Sequence, residues 1–140
     1  MNEVIFKISD ISEKNSPIRD IRQTVFIEEQ HVPEELEWDE LDLVSTHVLA
    51  FLDDIAVATA RLLENGHIGR MAVLKAYRNR NIGKKMLNFM LTLAQARGLK
   101  HIEVSAQEHA IGFYEKQGFT IISDSYLDAN IPHYDMKYRL

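Results

Sequence analysis

The period with which apolar and polar positions alternate changes along the chain, and each change predicts a new element of secondary structure. Residues 4–8 form a short β-branched run that predicts a first strand. Ser16 and Pro17 form a favourable helix start, and apolar residues then recur at helical spacing to about residue 28 or 29. The acidic, irregular segment 30–44 predicts a long connection, and connections of this length are often functional.

The middle third of the chain predicts an antiparallel meander of three strands. Segments 46–52 and 55–63 are separated by Asp53-Asp54, which suits a hairpin turn. Asn65-Gly66 supplies the positive φ values of a second tight turn, and the returning strand runs from His67 to residue 73 or 74.

The last third alternates helices with strands. Apolar residues at helical spacing from Ile82 predict a helix that ends at Gly98. The remaining segments predict a strand, a short helix, a strand and a last strand, at residues 101–105, 110–117, 119–123 and 133–139. The order β-α-β-β-β-α-β-α-β-β predicts a mixed α/β (α+β) fold with one sheet of about seven strands.

Composition narrows the class of protein. The 140 residues suffice for one ordinary domain, 1–140, and 46% hydrophobic with 26% charged residues is a globular composition. A net charge of -5 argues against a nucleic-acid partner, which would require a basic face. The N-terminus lacks a basic region, and no apolar run nears the roughly 20 residues of a membrane span. We therefore expect a cytoplasmic protein with no membrane partner.

The absence of cysteine removes several kinds of chemistry. Disulfides, thiolate zinc sites and a cysteine nucleophile are all excluded. No group of His, Asp and Glu residues has metal-ligand spacing, so we expect no metal. The sequence also lacks the Gly-x-Ser-x-Gly pattern of serine hydrolases.

A basic turn between a strand and a helix is the most informative segment. Arg78, Arg80, Lys84 and Lys85 cluster there in an otherwise acidic chain. Cations are unfavourable at a helix N-terminus unless an anion balances them, and the unpaired N–H groups there bind phosphate. Gly83 would let a phosphate approach the backbone closely. The turn indicates a phosphate or pyrophosphate site, and on charge alone a solvated basic turn is the alternative.

Two motifs in tandem resemble a known superfamily. Arg78-Asn-Arg-Asn-Ile-Gly83 is similar to the pyrophosphate loop of the GNAT superfamily of acetyl-CoA-dependent N-acetyltransferases. Ala110-Ile-Gly-Phe-Tyr-Glu-Lys-Gln-Gly-Phe119 is similar to its C-terminal motif. Residues 25–30, the pattern Glu37-x-Asp39-x-x-Asp42 and His47 resemble a small bacterial subgroup whose substrates are mostly unassigned. The resemblance implies a GNAT-like, mixed and mostly antiparallel sheet flanked by helices.

The resemblance also implies which residues bind acetyl-CoA. The turn would wrap the pyrophosphate with backbone amides of Arg78, Asn79, Arg80, Asn81, Ile82, Gly83 and Lys84. Met71, Ala72 and Val73 match the strand that pairs with the pantetheine arm, and a bulge in that strand would aim the Val73 N–H at the thioester carbonyl. Asn81 stands where the family usually has its first glycine, and Gln107 stands where many members have an asparagine near the cofactor arm.

Acid–base chemistry has three candidate residues. Tyr114 matches the tyrosine near the CoA sulfur, where a phenol of pKa about 10 would protonate a thiolate of pKa about 8.5; a buried aromatic is the alternative. His47 or Glu28 would take the proton of the amine, and the alternative for His47 is a strand-end histidine hydrogen-bonded to the loop. The carboxylates of segment 28–42 would favour a cationic acceptor, unless they form a solvated face.

The function implied by the resemblance is transfer of an acetyl group from acetyl-CoA to a primary amine, directly within a ternary complex. The amine would be a small molecule or lysine-like. Two alternatives stay open: a non-catalytic acyl-CoA-binding or sensor module, and a protein-interaction domain whose basic turn binds no cofactor. Homodimers are common in such families, and the sequence does not establish one.

Overall fold

One mixed sheet holds every strand of the part of the chain that the structure, a computed structural model, describes: residues 3–12 and 16–140. Its strands are β1 (Val4–Ser9), β2 (Thr46–Leu52), β3 (Ile55–Leu62), β4 (His67–Val73), β5 (His101–Gln107), β6 (Thr120–Ile121), β7 (Tyr126–Asp128) and β8 (Ile131–Arg139). The α-helices are α1 (Pro17–Arg22), α2 (Glu34–Glu37), α3 (Ile82–Ala96) and α4 (Ile111–Lys116). Short 3₁₀ turns cover Glu40–Leu43, Lys75–Tyr77 and Glu108–Ala110.

The strands lie in the order β1-β2-β3-β4-β5-β8-β6, and β7 pairs with β8. Every neighbouring pair is antiparallel except β4 with β5. The predicted mixed, mostly antiparallel fold is confirmed. Strand β7 is the addition: it turns into β8 through Ala129 and Asn130, both at positive φ, without the glycine that usually marks such a turn.

Helices cover both faces of the sheet and create two cores. On one face, α3 buries Ile82, Met86 and Met90 against β-strand residues such as Val104 and Met136. On the other face, α1 buries Ile18 and Ile21, and Val25 and Phe26 extend the same core. We call these the α3 face and the α1 face of the sheet.

The first helix changes its winding before it ends. After α1 the chain continues as a π-helix over Gln23–Glu29, so the helix predicted to residue 28 or 29 is present but is not α-helical throughout. Single π-turns often mark functional sites, because they re-aim the side chains that follow. The segment 30–44, predicted to be irregular, contains α2 and the 3₁₀ turn before β2.

Strands β4 and β5 separate after two residue pairs. His67 pairs with Glu103 and Ile68 with Val104, and the two strands have no further pairing toward their carboxyl ends. Strand β4 continues along β3, whereas β5 continues along β8. The sheet is therefore split at its centre, and a gap connects the α1 face with the α3 face.

Candidate active site

A cavity of about 320 Å³ lies at this split. Its walls come from the end of the π-helix, from α2, from the strands on both sides of the gap and from α4. The side chains that can bind or react along its walls are Gln30, Glu37, Arg61, His67, Arg70, Ser105, Gln107, His109, Tyr114, Asp128 and His133. Groups from helix α4 and from the α1 face of the sheet therefore meet in one space.

The basic turn leaves the N-terminus of α3 open to an anion. Asn79 and Asn81 both have a φ of 63°, the left-handed region that Asn adopts more readily than most residues. Asn81 is the N-cap, and no side chain caps the helix, so N–H groups of its first turn have no intrahelical partner. Lys84 and Lys85 are exposed beside them. The residues present thus fit a pyrophosphate.

Arg78 fixes this turn with its side chain. Its Nε donates to the Val73 carbonyl at 2.9 Å, and its Nη2 donates to Glu29 Oε1 at 2.8 Å. The hydrogen bond from Arg78 holds the pKa of the Glu29 carboxyl below its ordinary value. The guanidinium charge of Arg78 is therefore already paired, and only its backbone is left for a phosphate.

Strand β4 carries a bulge, but it lies earlier than the sequence suggests. Arg61 pairs with Gly69 and Thr59 with Ala72, so Arg70 and Met71 together face one residue of β3. Arg70 has a φ of 49°. Met71 lines the cavity, whereas Ala72 is buried against the α1-face core and Val73 pairs with Ala58. The irregular backbone that could face a thioester is therefore at Arg70 and Met71, not at Val73.

Tyr114 brings a free hydroxyl to the cavity. Its ring packs edge-on against Phe113 and Phe119, with centroid distances of 5.1 and 5.4 Å. Its hydroxyl has no hydrogen-bond partner among the described residues. Burial raises the pKa of Tyr114 to about 12, so the hydroxyl keeps its proton at any ordinary pH. The pKa difference from a thiol near 8.5 is therefore about 3.5, wider than the sequence argument assumes.

Gln107 closes one side of the cavity mouth. Its Nε2 donates to Gln30 Oε1 at 2.8 Å, which joins the end of β5 to the residue after the π-helix. A contact between Gln107 and the cofactor arm would have to replace or share this hydrogen bond.

The two bases predicted from the sequence lie away from the cavity. His47 is 3% exposed, its Nε2 donates to the Asp42 carbonyl at 2.8 Å, and burial lowers its pKa. It lines a separate depression beside β1. Glu28 is exposed on the π-helix and does not line the cavity either. The structure brings neither residue to Tyr114, and His47 has the loop-bonded arrangement of the alternative interpretation.

Three of the carboxylates expected at the acceptor mouth, Glu37, Asp39 and Asp42, are paired with arginines. We call Arg22, Glu37, Asp39, Asp42, Arg61 and Arg70 the arginine–carboxylate cluster. Arg22 contacts Glu37 and Asp42 at 2.7 Å each, and Arg61 contacts Asp39 and Asp42 at 2.8 Å each. Arg70 contacts Asp39 at 3.2 Å. Three formal positive charges cancel three negative ones, so these carboxylates provide no surplus charge to attract a cationic amine.

Burial and ion pairing shift the pKa of the cluster's carboxyl groups in opposite directions. Burial alone would raise the pKa of Asp42, but the hydrogen bonds and charges of Arg22 and Arg61 outweigh it and leave that pKa below its ordinary value. For Glu37 burial prevails, and its pKa is raised despite Arg22 and Arg70. Trp38 covers the cluster, with the Arg22 guanidinium 4.8 Å from its ring centre.

Several polar residues of the cavity were missed by sequence reasoning, and among them are His67, Ser105 and His133, which we call the histidine side. All three line the cavity. Alternation along the strands was the available signal, because Val104 and Ala106 of β5 are buried on the α3 face and Ser105 between them points the other way. The pairing of Ser105 with Asp135 then places His133 on the same face, but only the strand order reveals that pairing.

Within the described residues, no group of three or more His, Asp or Glu side chains is arranged to hold a metal ion. No helix of that same part of the chain is both long and apolar enough to cross a membrane.

Known proteins match the chain over nearly its whole length. A family model described as an acetyltransferase (GNAT) domain matches residues 8–140. The uncharacterized N-acetyltransferase YjcF of Bacillus subtilis is 33% identical over 120 residues, which are 83% of this chain and 86% of that relative.

Solved structures agree in fold. The acyl-CoA N-acyltransferase from Pseudomonas aeruginosa is 29% identical with a TM-score of 0.84, and the alignment covers 98% of this chain and 99% of that one. Escherichia coli ElaA is 28% identical with a TM-score of 0.81, over 98% of this chain and 99% of that one. The split sheet, the open helix N-terminus and these matches together show that the chain belongs to the GNAT acetyltransferase family and is an acyltransferase.

Proposed function

We propose that this acyltransferase moves an acetyl group from acetyl-CoA to a primary amine, directly and within a ternary complex. The observation that carries the proposal is the free hydroxyl of Tyr114 in a cavity whose walls come both from α4 and from the α1 face of the sheet. Donor and acceptor could therefore approach the same point from different sides. With no cysteine in the chain, a thiol acyl-enzyme is excluded.

The donor would be held at the basic turn and along β4. First-turn N–H groups of α3 and the exposed Lys84 and Lys85 favour a pyrophosphate. The bulge at Arg70 and Met71 frees backbone groups of β4 from the β3 ladder. When bound, acetyl-CoA supplies a thioester, whose carbonyl carbon accepts an amine and whose sulfur leaves as a thiolate.

Tyr114 would act on the leaving sulfur as a hydrogen-bond donor. Because its pKa is about 12, complete transfer of its proton to a thiolate near pKa 8.5 would be uphill by about 5 kcal/mol. A hydrogen bond to the developing charge needs no such transfer, and in a partly dry site it is stronger than in water. The aromatic rings of Phe113 and Phe119 keep the Tyr114 ring in place for this contact.

The acceptor would enter from the α1 face, between α2 and the histidine side. The arginine–carboxylate cluster is internally neutral, so it does not favour the ammonium form of an amine. This favours attack by the neutral amine, which is the minor form of an alkylamine of pKa about 10.4 at neutral pH. A small amine and a lysine side chain both satisfy this requirement.

A turnover assay with a panel of amines tests the proposal. Acetyl-CoA is mixed with the protein and with a diamine, a lysine-containing peptide, an amino alcohol or an acidic amino acid, and both thiol release and acetylated product are measured. At least one amine should give equal amounts of CoA and acetylated amine, with intersecting double-reciprocal plots. Parallel plots would contradict direct transfer.

A thermal-shift measurement separates the alternatives. A ligand that binds only the native state raises its stability, by about 2.7 kcal/mol at a hundred times Kd. A sensor module would show this shift with CoA and acetyl-CoA but no amine-dependent thiol release. A protein-interaction domain would show neither.

A further inference from the structure

We propose that His133 is the catalytic base, and that its Nε2 accepts the proton that the amine nitrogen loses as the acetyl group is transferred. This rests on the proposed function and deepens it, because the residues predicted from the sequence leave the base unassigned. His133 lies near the start of β8 and is 7% exposed. It lines the same cavity as Tyr114.

A backbone hydrogen bond fixes the tautomer of His133. Its Nδ1 lies 2.6 Å from the Ile131 carbonyl oxygen. A carbonyl oxygen can only accept, so Nδ1 carries the hydrogen and the neutral ring has its lone pair on Nε2. Among the described residues Nε2 has no hydrogen-bond partner, and the one buried side-chain nitrogen or oxygen without a partner is Arg61 Nε. Nε2 of His133 therefore remains accessible, as a base must be.

The ring is also held in place by its neighbours. Tyr126 of β7 pairs with His133 and stacks on it, with centroids 5.9 Å apart and planes at 22°. The Tyr126 hydroxyl donates to Asp135 at 2.5 Å, and Ser105 Oγ donates to the same carboxylate oxygen at 3.3 Å. A histidine fixed by stacking and by a backbone bond keeps one orientation without help from the substrate.

The strand register places this base on the acceptor side of the gap. His133 pairs with Gln107, and the next pair, Ala106 with Tyr134, belongs to the α3 face. His133 therefore faces the α1 face, from which the acceptor would enter. Tyr114 belongs to α4, which packs on the α3-face core. Tyr114 and His133 thus reach the same cavity from opposite faces of the sheet.

The other cavity histidine is a weaker candidate for the base. His67 lies at the closed end of the gap, where β4 and β5 still pair, and no hydrogen bond sets its tautomer among the described residues. Burial lowers its pKa. His67 is therefore an uncharged side chain of the cavity wall with no fixed tautomer. His133, by contrast, has a fixed tautomer with its lone pair on Nε2.

The step balances without any further reactant. The neutral amine attacks the carbonyl carbon, the C–N bond forms and the C–S bond breaks. The nitrogen passes one proton to Nε2 of His133, and the imidazolium releases it to water at the open side of the cavity. The thiolate, held by the Tyr114 hydroxyl, takes one proton from water as it leaves. The products are the N-acetyl amine and the CoA thiol.

His133→Asn is the sharpest variant, because the Asn side-chain N–H can replace Nδ1–H toward Ile131 while nothing replaces Nε2. The expected result is a fall in kcat of about 10²-fold or more, with unchanged KM for acetyl-CoA and an unchanged thermal shift by CoA. His101→Asn, on the exposed start of β5, is the matched control and should keep the wild-type kcat. Added imidazole should restore part of the rate of His133→Ala, in which the removed ring leaves room.

The outcomes separate this proposal from the proposed function. If the wild-type protein acetylates an amine and His133→Asn keeps a near-wild-type kcat, only the assignment of His133 as the base is overturned. Absence of wild-type turnover with every amine, while CoA still raises Tm, would overturn the transferase proposal and the base together. If His133→Asn fails to fold, ¹⁵N NMR of the wild-type imidazole rings decides: a neutral His133 protonated at Nδ1 supports the proposal, and one protonated at Nε2 contradicts it.

Discussion

The arginine–carboxylate cluster and the histidine side lie along the same cavity, yet their polar groups are used in different ways. In the cluster, Arg22 and Asp42 are almost fully buried and every charged side chain has an oppositely charged partner. On the histidine side, Nε2 of His133 has no hydrogen-bond partner among the described residues, and neither has the hydroxyl of Tyr114 elsewhere in the same cavity. The comparison teaches that a run of charged residues in a sequence does not by itself mark an open site, because the charged side chains can pair with one another in the fold.

The residues of the cluster come from both the helices and the sheet. Arg22 ends α1, Glu37 ends α2, and Arg61 lies in β3, so the ion pairs connect the helix layer with the sheet. Removing one member would leave the remaining charged side chains buried, with fewer oppositely charged partners and without water to stabilise them. The two regions should therefore respond differently to substitution: the cluster in stability and the histidine side in rate.

The largest expected effect is on the stability of Arg22→Met. Loss of the guanidinium leaves the Glu37 and Asp42 carboxylates buried with fewer partners, which should cost about 3–5 kcal/mol of unfolding free energy. This corresponds to a fall in Tm of about 10 °C for a domain of this size. Chemical denaturation and calorimetry measure both quantities.

The matched control is Arg139→Met, at the exposed end of β8, where the guanidinium has no hydrogen bond or ion pair within the described residues. Its unfolding free energy should change by less than about 0.5 kcal/mol. Equal stability of the two variants would show that the cluster contributes no more than any surface arginine.

A smaller effect is expected at the donor site from Gly83→Val. A Cβ at Gly83 would lie 3.8 Å from Phe113 and 3.9 Å from Val73, so an alanine fits but the two methyl groups of valine would crowd these side chains at the first turn of α3 and disturb its amides. CoA affinity should fall at least tenfold, about 1.4 kcal/mol, by calorimetric titration. Gly112→Val in α4, where a Cβ meets nothing within 4 Å, controls for the helix cost of valine. Unchanged affinity in a folded Gly83→Val would remove the pyrophosphate from this turn.

The smallest effect is a pH dependence of stability from the buried histidines. Burial lowers the pKa of His47 and of His67, so below about pH 6.5 the unfolded chain binds protons that the folded chain does not. The unfolding free energy should therefore fall as the pH is lowered from 7 toward 5.5. The slope should be smaller in His47→Gln, whose amide can still donate to the Asp42 carbonyl. An identical slope in this variant would show that His47 titrates normally.

The sequence predicts the fold well because the fold depends on local patterns. Apolar spacing, Asn65-Gly66 and Gly98 mark the meander and the helix α3, and all of these elements are present. The hairpin of β7 and β8 is missed because Ala129 and Asn130 form its turn without glycine. The π-helix is missed because its apolar residues still satisfy a helical period.

The sequence singles out residues of the proposed donor side and none of the histidine side, for a physical reason. The donor side is contiguous in sequence: the basic turn and the start of α3 form one segment. The proposed acceptor side includes Ser105, His133 and Tyr126, which meet only through the pairing of β5, β7 and β8. From the sequence alone, the carboxylates of segment 28–42 look free to bind a ligand. The arginines that pair with Glu37, Asp39 and Asp42 lie 15 to 22 positions away, at Arg22 and Arg61, so the sequence does not reveal the pairing.

Tyr114→Phe tests most directly the claim that the unpaired groups of the cavity carry the chemistry. Because the hydroxyl has no partner in the described structure and the ring remains, Tm and CoA affinity should be unchanged, whereas kcat with the best amine should fall by about 10²-fold. A variant with near-wild-type kcat, measured where acetyl transfer limits the rate, would contradict the account. A loss of rate that merely follows a loss of folded protein would contradict it as well.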